Sequence, residues 1–309
     1  MHFTTSVNIK HSEREIGYED KILMLGSCFS DNISEKLKEA YFQVATNPFG
    51  ILYNALSIAR CIETLTNEDN SQVPIVHHDG LWHSMLHHGD FSCADKKEFE
   101  KKIADSVAAG RRAIEEASVI TVTFGTAWVY EMNGEVVSNC HKMPSEQFTR
   151  RRLSVNEIAC CWQKILSLPV MQNKHVIFTV SPIRHLKDGL HENQLSKATL
   201  LLACEQLNET RGAVDYFPSY EIMMDELRDY RFYADDMLHP SAVATEYIWQ
   251  RFADTYFSEF TKSEMKALHQ LYTDRQHKPL HEDTTACIEF KEKTEAKADM
   301  LRKRYPWIP

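Results

Sequence analysis

Two short segments, far apart in the chain, carry residue types that together can perform nucleophilic acyl chemistry. Gly26-Ser27-Cys28 follows the β-prone run Lys21 to Leu25, which puts a hydroxyl at a strand-to-helix turn. Free amides at the amino end of the following helix, and its dipole, favour the negative charge that acyl transfer develops. A serine hydroxyl is a weak nucleophile, so it needs a base within hydrogen-bond reach and a third group to orient that base. Asp236 and His239, three residues apart, supply both in one turn: the carboxylate holds one imidazole nitrogen and leaves the other for Ser27.

The D-x-x-H spacing occurs three times, at Asp188–His191, Asp236–His239 and Asp274–His277. Only the second falls in the loop between the last strand region and a helix near Ser241, so position selects it. Cys28 offers a thiol alternative, but neighbouring side chains on a turn point apart and only one can face His239. A rival metal chemistry comes from His77, His78, His83, His87 and His88; His83 and His87 have the i, i+4 spacing that binds zinc on a helix. Ser84 stands where a metalloprotease would carry its glutamate. The bland alternative is a histidine-rich lid. Arg184, His185, His141 and Lys142 are basic groups able to hold an anionic substrate or to form structural ion pairs.

The elements that must position these groups alternate. Strand runs at Lys21 to Leu25, Tyr41 to Thr46, Val119 to Phe124, His175 to Val180 and Gly212 to Phe217 are interleaved with helical patterns. The helices are read at 30–40, 53–65, 96–116, 154–167, 193–210 and 241–257, with Ser30 or Asp31 as the cap of the first. This alternation predicts a three-layer α/β/α sandwich around a mainly parallel sheet. Asn133-Gly134 predicts a hairpin turn within 128–139. Residues 66–91 lack periodicity and are read as an inserted His-rich loop. Two charged helices, 262–274 and 285–304, separated by a polar stretch over 276–283, form a C-terminal helical tail. The domain reading is therefore a catalytic domain over 1–260 and a tail over 261–309. In open α/β sheets the crevice lies beyond the carboxyl ends of the strands, where Ser27, Gly50, Gly125, Thr126, Arg184 and His185 fall.

With 35 basic and 44 acidic residues and a net charge of -9, a broad phosphate-binding surface is disfavoured and no nucleic-acid partner is expected. Residues 1–20 are polar, and no apolar run has the length of a membrane helix, so the expectation is a cytoplasmic chain with no membrane partner. The eight cysteines show no C-x-x-C pair and read as reduced thiols. Nothing in the sequence fixes an oligomeric state.

Gly26-Ser27-Cys28-Phe29-Ser30 resembles the name-giving motif of the GSCFA family, a bacterial group similar to SGNH hydrolases, with Ser30 in place of alanine. The resemblance continues through Asn47-Pro48-Phe49-Gly50, Gly125-Thr126-Ala127-Trp128, Asn139-Cys140-His141-Lys142, Ser181-Pro182-Ile183-Arg184-His185 and Asp236 to His239. It spans about residues 20–258. It implies an SGNH/flavodoxin-like sandwich and an ester hydrolase or acyltransferase working through a serine ester without cofactor or metal. The implied substrate is a small-molecule or carbohydrate ester, a sugar O-acetyl group among the candidates. Gly50 stands at the position of the glycine oxyanion donor. No asparagine follows the third strand, so the second donor is Thr126, Asn139 or missing. A fold retained for binding alone is the non-catalytic alternative.

Overall fold

The computed structural model describes residues 4–67, 73–209, 214–281 and 283–309. Near the amino end, β1 (Lys21–Gly26), α1 (Cys28–Glu39), β2 (Gln43–Thr46) and α2 (Ala55–Thr66) follow in sequence, and then β3 (Ile75–His78) and β4 (Leu81–Ser84). The centre of the chain holds α3 (Lys96–Glu116), β5 (Val119–Phe124), β6 (Trp128–Met132), β7 (Glu135–Val137), β8 (Thr149–Arg152) and α4 (Val155–Ser167). Next come β9 (His175–Val180), α5 (Leu190–Asn208), β10 (Val214–Phe217), a helical turn α6 (Ser219–Glu221) and α7 (Ala242–Tyr256). The chain closes with α8 (Glu259–Gln276) and α9 (Thr285–Arg302).

The central sheet is parallel with order β10-β9-β5-β1-β2. Side chains alternate across a strand, and both faces are covered, which is why β1, β5 and β9 read as continuous apolar runs. Ala45, Leu23, Ile120, Val176 and Val214 stand in register across the sheet. They join the core layer formed with Ile58 and Ile62 of α2, Val107 of α3, Trp162 of α4 and Leu200 of α5. Ile22 and Met24 point the other way, to Phe29 and Ile33 of α1 and Ile248 and Phe252 of α7. The result is the α/β/α sandwich expected from the alternation.

The tail is not peripheral in its packing. Leu268 and Leu271 of α8, Ala298 of α9, and Tyr305 and Ile308 are buried with Phe42 and Phe257 in the same core layer as α1 and α7. The Trp307 indole donates to the Tyr41 carbonyl at 2.9 Å. Amphipathic faces hidden under many charges make these helices read as more solvated than they are.

Several boundaries differ from the sequence reading. The first helix begins at Cys28 and its cap is Ser27, not Ser30 or Asp31. Within 66–91, where a loop is expected, β3 and β4 form an antiparallel hairpin with Asp79 and Gly80 at positive φ; strands of four residues are too short to show a period. Residues 68–72 of that segment lie outside the described residues, as do Thr210 at the end of the 193–210 pattern, Gly212 and Ala213 of the fifth strand run, and Glu282 in the tail's polar stretch. Asn133 and Gly134 form the expected hairpin turn, both at positive φ, between β6 and β7. Strand β8, unexpected, adds to β6 to make a second antiparallel sheet. Among the described residues no helix is long and apolar enough to cross a membrane.

Candidate active site

From β1 the chain first steps to β2 on one side and later returns to β5 on the other, so β1 and β5 flank the point where strand order reverses. Crevices form beyond the carboxyl ends of strands at such a point. Ser27 directly follows β1 there. Its φ of -72° and ψ of 173° place it outside α1, and its Oγ accepts the Phe29 amide at 3.3 Å as the helix N-cap. The glycine before it is demanded by the backbone: Gly26 has φ of +132°, and a Cβ there would lie 2.2 Å from the Thr123 carbonyl oxygen of β5.

A cavity of about 660 Å³ opens over Ser27, and His239 lines the same cavity, a size ordinary for a small-ligand site. Asp236 Oδ1 accepts the amides of Leu238 (2.9 Å) and His239 (3.0 Å), while its Oδ2 lies 2.5 Å from His239 Nδ1. The backbone bond from His239, then its imidazole and the Leu238 amide, hold the Asp236 carboxyl down at about 2. With Nδ1 engaged as donor, Nε2 is the ring's remaining acceptor. The loop is tied to its surroundings by Arg184 N–H donating to Leu238 O (3.2 Å) and Ala234 N–H to His239 O (2.8 Å). Among the described residues no hydrogen bond joins Ser27 to His239 directly. Contacts of this kind commonly tighten only when substrate is bound.

Thr126, Asn139, Arg184 and His185 also line the cavity, whereas Gly50, Gly125 and His141 do not. The Gly50 amide donates to Asn47 O at 2.7 Å within a tight turn. It is therefore committed to the turn, which corrects the expectation of an oxyanion donor there. Gly125 donates to Tyr53 O at 2.8 Å. His141 is buried, stacks on His83 with ring centroids 4.5 Å apart and shares a hydrogen bond with Ser84 O at 2.8 Å. Burial pushes its imidazole below the usual value, and Lys142 beside it faces solvent. Thr126 Oγ1 accepts the Trp128 amide at 3.1 Å and lies 3.2 Å from Ser196 Oγ. Asn139 Oδ1 accepts the His141 amide at 2.8 Å. His185 shares a 3.3 Å hydrogen bond with Gly125 O, and burial followed by the nearby Lys197 lowers it to about 4, so it is neutral at neutral pH.

The spacing expected to hold zinc does not form, because His83 lies on strand β4 and His87 beyond its end. His83 shares hydrogen bonds with Ser92 Oγ (2.6 Å) and His78 O (3.2 Å), and His87 with Ser84 Oγ (2.7 Å) and Ser106 Oγ (3.0 Å). Among the described residues no group of three or more His, Cys, Asp or Glu side chains is placed to hold a metal ion. The eight cysteines are unpaired. Burial, with Asp31, raises the Cys28 thiol, which leaves it a poorer nucleophile than a thiolate.

Sequence reasoning missed three groups. Asn54 is buried, lines the cavity beside Thr126 and caps α2, its Oδ1 accepting the Ser57 amide at 2.8 Å. Its place as a helix cap was the available signal. Arg150 lines the cavity from β8, a strand whose run of three arginines disguised it. Lys197, fully buried on α5, donates to Gly125 O and Ser181 O at 2.8 Å each; a lysine in an otherwise apolar stripe was its only trace.

The geometry defines an open α/β protein with a capped serine at its topological switch point and an Asp-His pair across the crevice. The GSCFA family model matches residues 21–252, and the chain belongs to the GSCFA family. No curated protein matches it. Solved structures similar to it include a carbohydrate esterase family 3 from Talaromyces cellulolyticus, at 12% identity and a TM-score of 0.33 over 82% of this chain and 99% of that one. An acetyl esterase mutant with an acetate ion is similar at 12% identity and a TM-score of 0.33, over 83% of this chain and 100% of that one.

Proposed function

We propose that the chain is a serine-dependent ester hydrolase or acyltransferase that works through an acyl-enzyme on Ser27. The observation that supports this reading is that Ser27 and His239 line one cavity while Asp236 holds the imidazole by Nδ1. In the forward step the Ser27 Oγ–H proton passes to His239 Nε2 as Oγ bonds to the ester carbonyl carbon. Collapse of the tetrahedral intermediate breaks the bond to the leaving oxygen, which takes the proton back from the imidazolium. Water or an acceptor hydroxyl then repeats the sequence and frees Ser27.

The oxyanion needs donors other than Gly50. The Cys28 amide is the first of α1, where amides lack intrahelical partners. The Asn54 Nδ2 group has two N–H donors and uses one on Ser57 Oγ at 2.9 Å. Both residues line the cavity with Ser27. An acylated carbohydrate suits the walls, which combine Tyr53, Trp128, Tyr130 and Phe148 with polar groups.

A screen of short-chain aryl esters and acetylated sugars against wild type and Ser27→Ala tests the reading. Turnover lost in Ser27→Ala, kept in Cys28→Ala, and fluorophosphonate labelling of Ser27 are expected. If ligands bind but no ester is turned over and Ser27 resists labelling, the chain is a binding protein on this fold.

A further inference from the structure

The cavity carries more positive charge than catalysis on a neutral ester requires. Its walls hold Arg150, Arg184 and Lys187 against one carboxylate, Asp188, in a chain whose net charge is -9. Asp188 is already committed: Arg150 grips it through both terminal nitrogens, the NH2 contact being 2.6 Å. The nearby Asp236 is held by His239. Among the described residues no carboxylate lies within ion-pair distance of Arg184 or Lys187, although Asp188 acts on Lys187 at longer range, so the pair of cations is only partly balanced.

These two cations are nevertheless held in place. The Arg184 guanidinium lies 5.5 Å from the Tyr230 ring centroid and 5.2 Å from that of Tyr233. The Lys187 ammonium lies 4.8 Å from the Tyr130 ring and donates to its hydroxyl. Neutral aromatic platforms fix a cation without cancelling it. Among the described residues, Trp128 Nε1, Ser138 Oγ, Arg150 Nε and Ser181 Oγ of the same cavity are buried without a hydrogen-bond partner, and Ser181 is 0% exposed. Unsatisfied buried polar atoms are costly, so this wall of the cavity is polar beyond what its own fold satisfies.

We propose that the ester this cavity accepts bears an anionic group, a carboxylate or a phosphate, recognised by Arg184 and Lys187. The proposal rests on the esterase reading for its reaction and on the charge distribution for its specificity. Focused positive potential in a low-dielectric cleft also raises the rate of encounter with an anion.

Two measurements separate the claims. The first compares kcat/KM for 4-acetoxybenzoate with that for phenyl acetate, in wild type, Arg184→Gln, Lys187→Gln and the charge-keeping Arg184→Lys. Wild type is expected to prefer the anion roughly tenfold at low salt, the preference shrinking as salt rises. Each glutamine variant is expected to lower that ratio several-fold, and Arg184→Lys to keep most of it. The second is calorimetric binding to Ser27→Ala of glucuronate, glucose 6-phosphate and glucose, which needs no turnover and tells carboxylate from phosphate. Ser27-dependent hydrolysis with no anion preference, and no binding difference among the three sugars, overturns the subsite and leaves the esterase reading standing. Anion-selective binding, weakened in Arg184→Gln and Lys187→Gln, with no ester turned over establishes the subsite and overturns the esterase reading.

Discussion

The buried ammonium of Lys197 lies 2.8 Å from the carbonyl oxygen of Gly125, and the same group donates to Ser181 O at 2.8 Å. These carbonyls end the adjacent strands β5 and β9, immediately beneath the cavity, where the ladder runs out of partners. One side chain on α5 thus clamps two walls of the site. Burial pulls its ammonium down to about 7, so it sheds its proton in the folded chain well before it does in the unfolded one.

Between pH 7 and the ordinary lysine range the unfolded chain therefore binds more protons than the folded one, and stability rises with pH across that window. Lys197→Met is expected to abolish this rise. It also removes the Lys197 bond to Ser181 O, at about 1–3 kcal/mol, while Gly125 O keeps His185 Nε2 at 3.3 Å. Thermal melts of both proteins at pH 7 and pH 9.5 check it; an equal upward shift in the variant would assign the rise to other groups.

Burial sets a second titration, on the acid side. His87 stacks on Phe49 with centroids 3.9 Å apart and engages Ser84 and Ser106 through its two ring nitrogens. Burial, and after it His141, lower it to about 3 from 6.5. As pH falls through 6.5 the unfolded chain takes up a proton that the folded chain refuses until about 3, so stability falls across that window. His87→Gln is expected to flatten the pH dependence of the denaturation midpoint between pH 6.5 and 4, where the effect of burial is worth about a few kcal/mol at most. An unchanged slope in the variant refutes this.

How much of this was written in the chain depends on the range of the interaction. The parallel sheet was legible because β1, β5 and β9 are apolar on both faces, a local pattern that burial alone explains. Ser27 and His239 were legible because each sits where the alternation predicts a strand end or a loop. Gly50 misled, since a glycine at φ of +76° serves a turn as readily as an oxyanion hole, and only the bond to Asn47 distinguishes the two. Lys197 and Arg150 were invisible for a related reason: their partners are backbone carbonyls and Asp188, set by the fold and not by spacing.

The turn that carries Ser27 is sterically closed. A methyl group on Gly26 would meet Thr123 O at 2.2 Å, with Thr123 C and N at 2.9 Å, all backbone of the neighbouring strand. Gly26→Ala is expected to cost several kcal/mol or to prevent folding. Gly80→Ala, where φ is +74° but the space is open, isolates the conformational part, at about 1 kcal/mol. Urea denaturation of the two variants checks the contrast, and similar losses at both sites would contradict it.

The carboxylate beside the imidazole sets a limit on the acid limb of the pH–rate profile. Asp236 is held ionised down to about pH 2, so protonation of this carboxyl is expected to add no break to the acid limb of kcat/KM above pH 3. Asp236→Asn is expected to lower kcat roughly 10- to 1,000-fold, less than the ~10⁴ of a buried triad carboxylate, because Asp236 is exposed. A profile that falls with two protons would give the carboxyl a different role.

Asn54 separates a cap from an oxyanion donor. As a cap, its side chain accepts the Ser57 amide at 2.8 Å, a contact worth about 1 kcal/mol. As a donor, its second Nδ2 hydrogen stabilises the tetrahedral intermediate, and removing such a donor costs on the order of 100- to 1,000-fold in kcat. Asn54→Asp keeps the cap acceptor and removes the donor, so it is expected to retain most of the thermal stability while kcat collapses with little change in KM. Asn54→Ser keeps a shorter cap and a hydroxyl donor, and should fall between. If Asn54→Asp turns over esters at the wild-type rate, Asn54 serves the helix alone and the charge on the intermediate is carried by the Cys28 amide and some other group.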